Sequence, residues 1–460
     1  MNLRVAIPAA CAALGLGGLA VFLAGSPSVP QRALPEGSPP HVVVVVGCTV
    51  RADQVSLYGG EPEATPFLSQ LAAQGAFFER TIGQAPWTRP AVTALLTGQL
   101  PARTGIVEPG PQRNDRRLLD DVTTLAQHFG GAGYATIGLT GNSNLNPLFG
   151  FDRGFDTYRA TDKLWRKGLD KVEGTQLVDE ALALVDAAEP GKPLYLQLVL
   201  VDAHLPATVS DEEIGAFKRE GVKRRLAQYR AMLHQFDEAV EALDAGLEQR
   251  GLDPDNTVFV VIADHGEGLK IPAHHGNGHG NYLYPSSVHV PWIMRGPGVA
   301  AGAEITGLSA QIDLAPTLLS VADVEHEATF DGVDHSALLG AGGAIGPRSV
   351  YTDTWFREVH RAAIYEPERM CQVDLDPEGT VAMLERTAKK KKRKPKFQDA
   401  CFLYHDDAAF ESPVAEATEA LARVRSRAEE LELVLQGRGA TVVDVDAQTK
   451  GQLEALGYVE

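Results

Sequence analysis

Residues 41–46 read His-Val-Val-Val-Val-Val, a run of β-branched side chains with no polar alternation. Such a run predicts a strand buried on both faces, the condition of strands inside a parallel sheet that helices cover on each side. Short apolar runs recur at Ala135–Leu139, Leu194–Val201 and Thr257–Ala263. Between them lie helical stretches, Pro66–Gln74, Val122–Ala132 and Val222–Leu247. Strands alternating with helices predict an α/β fold, a doubly wound, mostly parallel sheet flanked by helices. Chemistry in such a sheet gathers at the carboxyl ends of its strands. The segments that begin at Cys48, Asn142, Asp202 and Asp264 each closely follow one of the apolar runs.

The chain has 460 residues, enough for roughly three domains or for one large α/β domain with an appendage. We expect a principal domain over 41–345 and a smaller α+β subdomain over 346–460. Hydrophobic residues make up 44% and charged ones 22%, which excludes a mostly disordered chain. The 60 acidic against 42 basic side chains leave a net charge of −18. That balance excludes general nucleic-acid binding, which needs a basic surface. Eight of the eleven residues in Arg386–Lys396 are basic, and a solvated loop accounts for them better than a nucleic-acid patch does. Val414–Gln436 reads as an Ala/Glu/Leu/Arg-rich helix, and Gly451–Glu460 as a short terminal segment.

The N-terminus predicts export. Val5–Ala24 is twenty largely apolar residues after Arg4, matching a signal peptide or a single membrane anchor; residues 1–25 carry this role. Pro8 and the glycines at 15, 17 and 18 make it a poor helix for a soluble core. Residues 26–40, with five prolines, read as an extended linker. The protein is therefore expected in the periplasm, outside the cell, or anchored to the membrane. Four cysteines cannot form a disulfide scaffold. In an oxidising compartment Cys371 and Cys401, which flank the basic loop, are expected to pair, leaving Cys48 reduced or metal-bound.

The chemical segments come in a definite order. Cys48-Thr-Val-Arg-Ala-Asp53 follows the first strand, then Leu57-Tyr-Gly59 and Thr65-Pro66. Ala85-Pro-Trp-Thr-Arg-Pro90 runs into Ala94-Leu-Leu-Thr-Gly98. The strand at 257–263 ends in Asp264-His-Gly-Glu267, with His274-His-Gly-Asn-Gly-His-Gly280, Leu283-Tyr284 and Arg295-Gly-Pro-Gly298 beyond it. In this order and spacing the chain resembles the sulfatase branch of the alkaline phosphatase superfamily over roughly 40–325, and again weakly at Leu456-Gly-Tyr-Val459. The resemblance implies an esterase-type hydrolase or phosphotransferase that uses a divalent metal ion.

Carried over residue by residue, the resemblance puts the nucleophile seven residues before Leu95, at Thr88. A hydroxyl at a helix N-terminus lies where backbone N–H groups and the positive dipole end hold an anion; a plain N-cap is the other use of a threonine there. Asp264 and His265 match the metal pair, a carboxylate and an imidazole suited to a divalent cation, although Asp-His-Gly-Glu also makes an acceptable surface turn. Glu267 is read as a supporting residue. His279 matches the position that contacts the transferred group and the leaving oxygen, and His204 matches a second substrate-facing histidine. Imidazole can donate to an oxyanion or pass a proton near neutral pH, and either could instead be an ordinary loop histidine. Asn142 and Asn144, after the 135–139 strand, are candidates for lining the substrate pocket, or turn residues ahead of Pro147.

The chain departs from the family at two places. Where an aspartate usually binds metal after the first strand it has Cys48. Thiolate suits Zn²⁺ alongside Asp and His, and suits Ca²⁺, Mg²⁺ or Mn²⁺ poorly. Zinc is therefore favoured, with Ca²⁺, Mg²⁺ or Mn²⁺ as the other ions a family site of this kind takes; the alternative is reduced or lost metal affinity, with Cys48 a small buried thiol in a dead site. Asp53, five residues further on, is no obvious replacement. At the nucleophile, Thr88, Pro90 and Val92 stand where a formylglycine enzyme needs Cys or Ser, then Pro, then Arg. Threonine cannot become formylglycine, so no formylglycine is expected. The resemblance then implies phosphate or phosphonate esters, small or polymeric, ahead of sulfate esters. A catalytically degenerate protein that keeps an anion-binding or structural role at the cell envelope is the alternative.

Overall fold

The computed structural model describes residues 31–32, 34–107, 115–160, 171–271, 277–356, 359–381, 399–404, 412–415, 417–439 and 441–456. The N-terminal apolar segment, the basic loop at 386–396 and residues 457–459 lie outside them. Among the described residues no helix is long and apolar enough to cross a membrane.

The valine run forms the central strand β1 (His41–Gly47), buried along its whole length. The main sheet adds β2 (Ala76–Ile82), β3 (Ala135–Thr140), β4 (Thr157–Arg159), β5 (Leu194–Leu200), β6 (Thr257–Ala263), β7 (Trp292–Arg295) and β8 (Ala303–Ala310). Its order is β8-β2-β7-β6-β1-β5-β3-β4, with Gly343–Ala344 beside β8 and His289–Val290 paired to β2. Strands β1, β3, β4, β5 and β6 are parallel neighbours, as are β2 and β8, whereas β7 runs antiparallel between β6 and β2. The mostly parallel sheet expected from the sequence is present, and β7 is its one long reversal.

The pleat of β1 divides its valines between two cores. Val42, Val44 and Val46 pack with α2 (Thr88–Thr97), α3 (Leu125–Gly131) and α6 (Leu314–Val321), through residues such as Leu95, Phe129 and Leu318. Val43 and Val45 pack with α1 (Pro66–Gln74), α4 (Gly174–Ala187) and α5 (Arg224–Glu248), through Leu71, Val178 and Phe236. Each fully buried valine contributes about 1.5–3 kcal/mol, so both faces of the strand must stay covered.

Helix boundaries follow local hydrogen bonds. Helix α3 begins at Leu125 rather than Val122, because Thr124 Oγ1 accepts from the Gln127 N–H and Gln127 Oε1 accepts from the Thr124 N–H. Helix α7 (Thr418–Arg438) begins four residues later than expected, because the Val414 N–H donates to the Cys401 carbonyl and ties that residue to a strand edge. The terminal segment is helical over Ala447–Ala455 (α8).

A second, antiparallel sheet runs β9 (Val350–Phe356), β10 (Val359–Tyr365), β11 (Arg369–Asp374) and β12 (Ala400–Leu403) in chain order, with α7 packed on it. The chain then returns to the main body: Thr441–Val442 pairs with Arg116–Arg117, and Leu453 and Leu456 join the β1 core. Cys371 and Cys401 face each other in register on β11 and β12 and are joined by a disulfide, with Cα atoms 4.0 Å apart, while Cys48 is reduced. The bridge closes a loop of 30 residues, for which chain entropy gives a stabilisation of about 3–4 kcal/mol. The double variant Cys371→Ser/Cys401→Ser is expected to lose most of that in denaturant titration; an unchanged midpoint would contradict it.

Candidate active site

The ends of β1, β3, β5 and β6 meet at one edge of the sheet. Ladder hydrogen bonds continue one residue past them, from Cys48 N–H to the Leu200 carbonyl (2.8 Å) and from Asp264 N–H to the Gly47 carbonyl (3.1 Å). These bonds place Cys48 and Asp264 side by side at the sheet mouth. Helix α2 starts there with Thr88, and the turn after β3 supplies Asn142. All four residues and His265 are fully buried.

Thr88 Oγ1 lies 3.6 Å from Cys48 Sγ and 3.3 Å from His265 Nε2. Asn142 Nδ2 donates to both Thr88 Oγ1 and Cys48 Sγ, at 3.3 Å each. His265 Nδ1 donates to its neighbour, the Gly266 carbonyl, at 2.8 Å. That bond assigns the proton to Nδ1 and leaves a lone pair on Nε2, so the Thr88 hydroxyl donates to His265. Burial keeps the imidazole pKa below its ordinary value, which preserves that lone pair.

One Asp264 oxygen is committed and the other is not. Oδ1 accepts from the Thr49 N–H (3.0 Å) and the His265 N–H (2.6 Å). Oδ2 is buried without a hydrogen-bond partner and lies 3.4 Å from His265 Nε2, itself a lone pair. Cys48, Asp264 and His265 offer ligand atoms that all lie within 4.8 Å of one another, and they form the single such group among the described residues. Those two lone pairs and a sulfur in a dry site fit a divalent cation, which would take the Nε2 lone pair over from the Thr88 hydroxyl. Without one, burial and then the Asp264 charge push the Cys48 thiol well above its usual range, and a bound cation reverses that preference.

The two other histidines lie next in line. The His279 ring is 4.6 Å from the His265 ring, and the His204 ring is 5.1 Å from that of His279 (centroid distances). His279 Nδ1 donates to Glu267 Oε2 at 3.2 Å. Burial works against the Glu267 carboxylate, yet its bond to His279 holds it below the usual range. His204 Nδ1 donates to the Leu205 carbonyl, and burial, followed by the His279 charge, pulls its pKa well below the ordinary value. Every residue singled out from the sequence is therefore at this edge. Asn144 stands one layer back: its backbone N–H (3.0 Å) and side-chain Nδ2 (3.3 Å) both donate to Asn142 Oδ1 and so orient that amide.

Supporting residues carry little or no sequence signal of their own. Lys171 is buried, and its ammonium donates to the carbonyls of Val201 (3.2 Å), Asp202 (2.7 Å) and His204 (2.8 Å), fixing the turn that carries His204. Burial pulls its pKa down to about 8. Arg89 donates to Asn144 Oδ1 at 3.1 Å and lies over the Phe149 ring; a lone charge at the start of an otherwise uncharged helix was its one visible hint. Asp53 pairs with Arg51 through two bonds (2.6 and 2.8 Å), away from the ligand group.

The second sheet buttresses the His279 loop. Thr354 Oγ1 donates to the Gly280 carbonyl, Arg361 to that of Asn281, and Tyr365 OH to that of Leu283. Gly280 has φ +91°, and a Cβ there would lie 2.5 Å from the Phe356 ring. Only glycine fits between the loop and β9.

The Sulfatase family model matches residues 40–324. Arylsulfatase A of Bos taurus is 27% identical over 360 residues, covering 66% of this chain and 69% of its own. Ps i-CgsB, solved in complex with k-i-k-neocarrahexaose, superposes with a TM-score of 0.67 at 19% identity over 91% of this chain and 98% of that one. The phosphonate monoester hydrolase SpPMH from Silicibacter pomeroyi superposes with a TM-score of 0.65 at 17% identity, over 86% and 95%.

Proposed function

The chain belongs to the sulfatase family and is a sulfate or phosphate ester hydrolase, and from that premise we propose that it cleaves phosphate or phosphonate esters with Thr88 as nucleophile. The observation that carries this reading is the placing of Thr88 Oγ1 within 3.3–3.6 Å of Asn142 Nδ2, His265 Nε2 and Cys48 Sγ at the start of a ten-residue helix. Cys48, Asp264 and His265 would hold the divalent cation, with zinc favoured by the thiol. Bound there, the cation supplies Lewis acidity, lowering the pKa of the threonine hydroxyl and offsetting charge on the phosphoryl group.

The chain's own groups divide the remaining work. The first-turn N–H groups of α2 and its positive dipole end face the phosphoryl oxygens. Asn142, held by Asn144, donates to the nucleophilic oxygen and orients its lone pairs. The Thr88 hydroxyl gives up its proton to solvent, and its oxygen bonds to phosphorus as the ester P–O bond breaks with its electron pair on the departing oxygen. His279, with its Nδ1 held by Glu267, gives the departing oxygen a proton from Nε2. His204, kept neutral by burial, has its lone pair on Nε2 and accepts a proton from the water that later cleaves the Thr88–phosphorus bond. Export completes the proposal: the apolar segment at 5–24 and the disulfide both suit an oxidising compartment outside the cytoplasm.

A panel of aryl esters tests the substrate class. Purified protein supplied with zinc is expected to turn over a bis-aryl phosphate and an aryl phosphonate faster than the matching aryl sulfate. A strong preference for the sulfate would overturn the reading of Thr88. Protein that binds no metal and cleaves no ester supports a degenerate family member with a binding role instead.

A further inference from the structure

Thr49 sits in the left-handed backbone region at φ +63°, one of three non-glycine residues with positive φ among the described residues. A β-branched side chain is poorly accommodated there, so surrounding contacts must hold it. Every polar group of Thr49 is engaged. Its N–H donates to Asp264 Oδ1 (3.0 Å) and its hydroxyl donates to the Cys48 carbonyl (2.6 Å). Its own carbonyl accepts from the Tyr229 hydroxyl at 2.6 Å, and Tyr229 in turn accepts from the Arg51 N–H at 3.0 Å. Tyr229 is buried on α5.

The arrangement has a directional consequence. The Thr49 N–H takes one oxygen of Asp264, which leaves Oδ2 as the oxygen facing His265. Cys48 itself is anchored by its N–H on the Leu200 carbonyl (2.8 Å), with its Sγ 3.6 Å from Thr88 Oγ1. A relaxed Thr49 with negative φ would turn its N–H and the Cys48 peptide away together. We propose that Tyr229 is a positioning residue whose hydroxyl clamps Thr49 in the left-handed conformation and thereby holds Cys48 and Asp264 in one ligand set for a divalent cation. The proposal rests on the reading of Cys48, Asp264 and His265 as a cation site.

Zn²⁺ affinity, measured on the full chain by competition with a chromogenic chelator, tests it without any substrate. Tyr229→Phe keeps the ring and its packing and removes the hydroxyl's two bonds, the clamp on the Thr49 carbonyl and the acceptor of the Arg51 N–H; it is expected to weaken Zn²⁺ binding by about ten-fold or more, the usual cost of losing a residue that orients a ligand. Glycine occupies φ +63° without penalty, so in a Thr49→Gly background the same tyrosine change is expected to cost less than about three-fold. Circular dichroism and the thermal midpoint of each variant report on folding. A tyrosine that merely supports the fold would lower the midpoint in both backgrounds and leave Zn²⁺ affinity alone. Wild-type affinity in Tyr229→Phe, or an equal loss in both backgrounds, overturns the clamp. Absence of Zn²⁺ binding by the wild-type chain overturns the cation reading and the clamp with it.

Discussion

Thr88→Ala is expected to lower ester turnover by at least about three orders of magnitude, the scale seen when a covalent nucleophile is removed. The thermal midpoint should fall by only a few degrees. Thr88 occupies the first position of α2, and no side-chain cap bond forms at that helix end, so the helix does not depend on its hydroxyl. Thr88→Ser keeps an oxygen and should retain measurable turnover, since the bonds from Asn142 and to His265 need only a hydroxyl. Single-turnover assays should show a covalent phosphoryl adduct on the wild type that is absent from the alanine variant. Undiminished turnover in Thr88→Ala would remove Thr88 from the chemistry. The adjacent residues that bind and orient would then need a different partner.

Exchanging the sulfur at position 48 should change which metal the site accepts. The wild-type chain is expected to purify with, or take up, one equivalent of zinc, because thiolate, carboxylate and imidazole together form a borderline-soft donor set. Cys48→Ser removes the thiolate and should leave zinc binding too weak to survive dialysis. Cys48→Asp supplies a hard carboxylate beside Asp264, so binding of Ca²⁺, Mg²⁺ or Mn²⁺ should rise relative to zinc. That variant buries two carboxylates at hydrogen-bonding range of the same turn. Its thermal midpoint should therefore drop in a chelator and recover when a hard cation is added, because unpaired buried charges are costly. Elemental analysis after dialysis reads the exchange directly. Equal metal content in wild type and Cys48→Ser would show that the sulfur is no ligand.

The sequence alone determined the features that depend on residue type and short-range order. Five successive valines have no polar face to offer water, so β1 had to be central and covered on both sides, and it is. Asp264 and His265 follow a buried strand, so they had to emerge at the sheet mouth, where Cys48 and Thr88 also emerge. The ordered motifs are enough to name the family, and the expectation of an oxidising compartment together with their places either side of the basic loop pairs Cys371 with Cys401, as the disulfide does. Tertiary structure decided how these groups are held. The sheet order set β1 between β5 and β6, which is why Cys48 and Asp264 are neighbours although 216 positions apart, and why Asp264 Oδ2 faces His265 with no other partner. Lys171 reaching under His204, Arg89 fixing Asn144 and Tyr229 fixing Thr49 are contacts across 33, 55 and 180 positions. Sequence periodicity reports only which face of an element is buried, because it repeats over a few residues along one element. Pairings at those separations exist only once strand order and register bring distant elements together, and so only the folded chain specifies them.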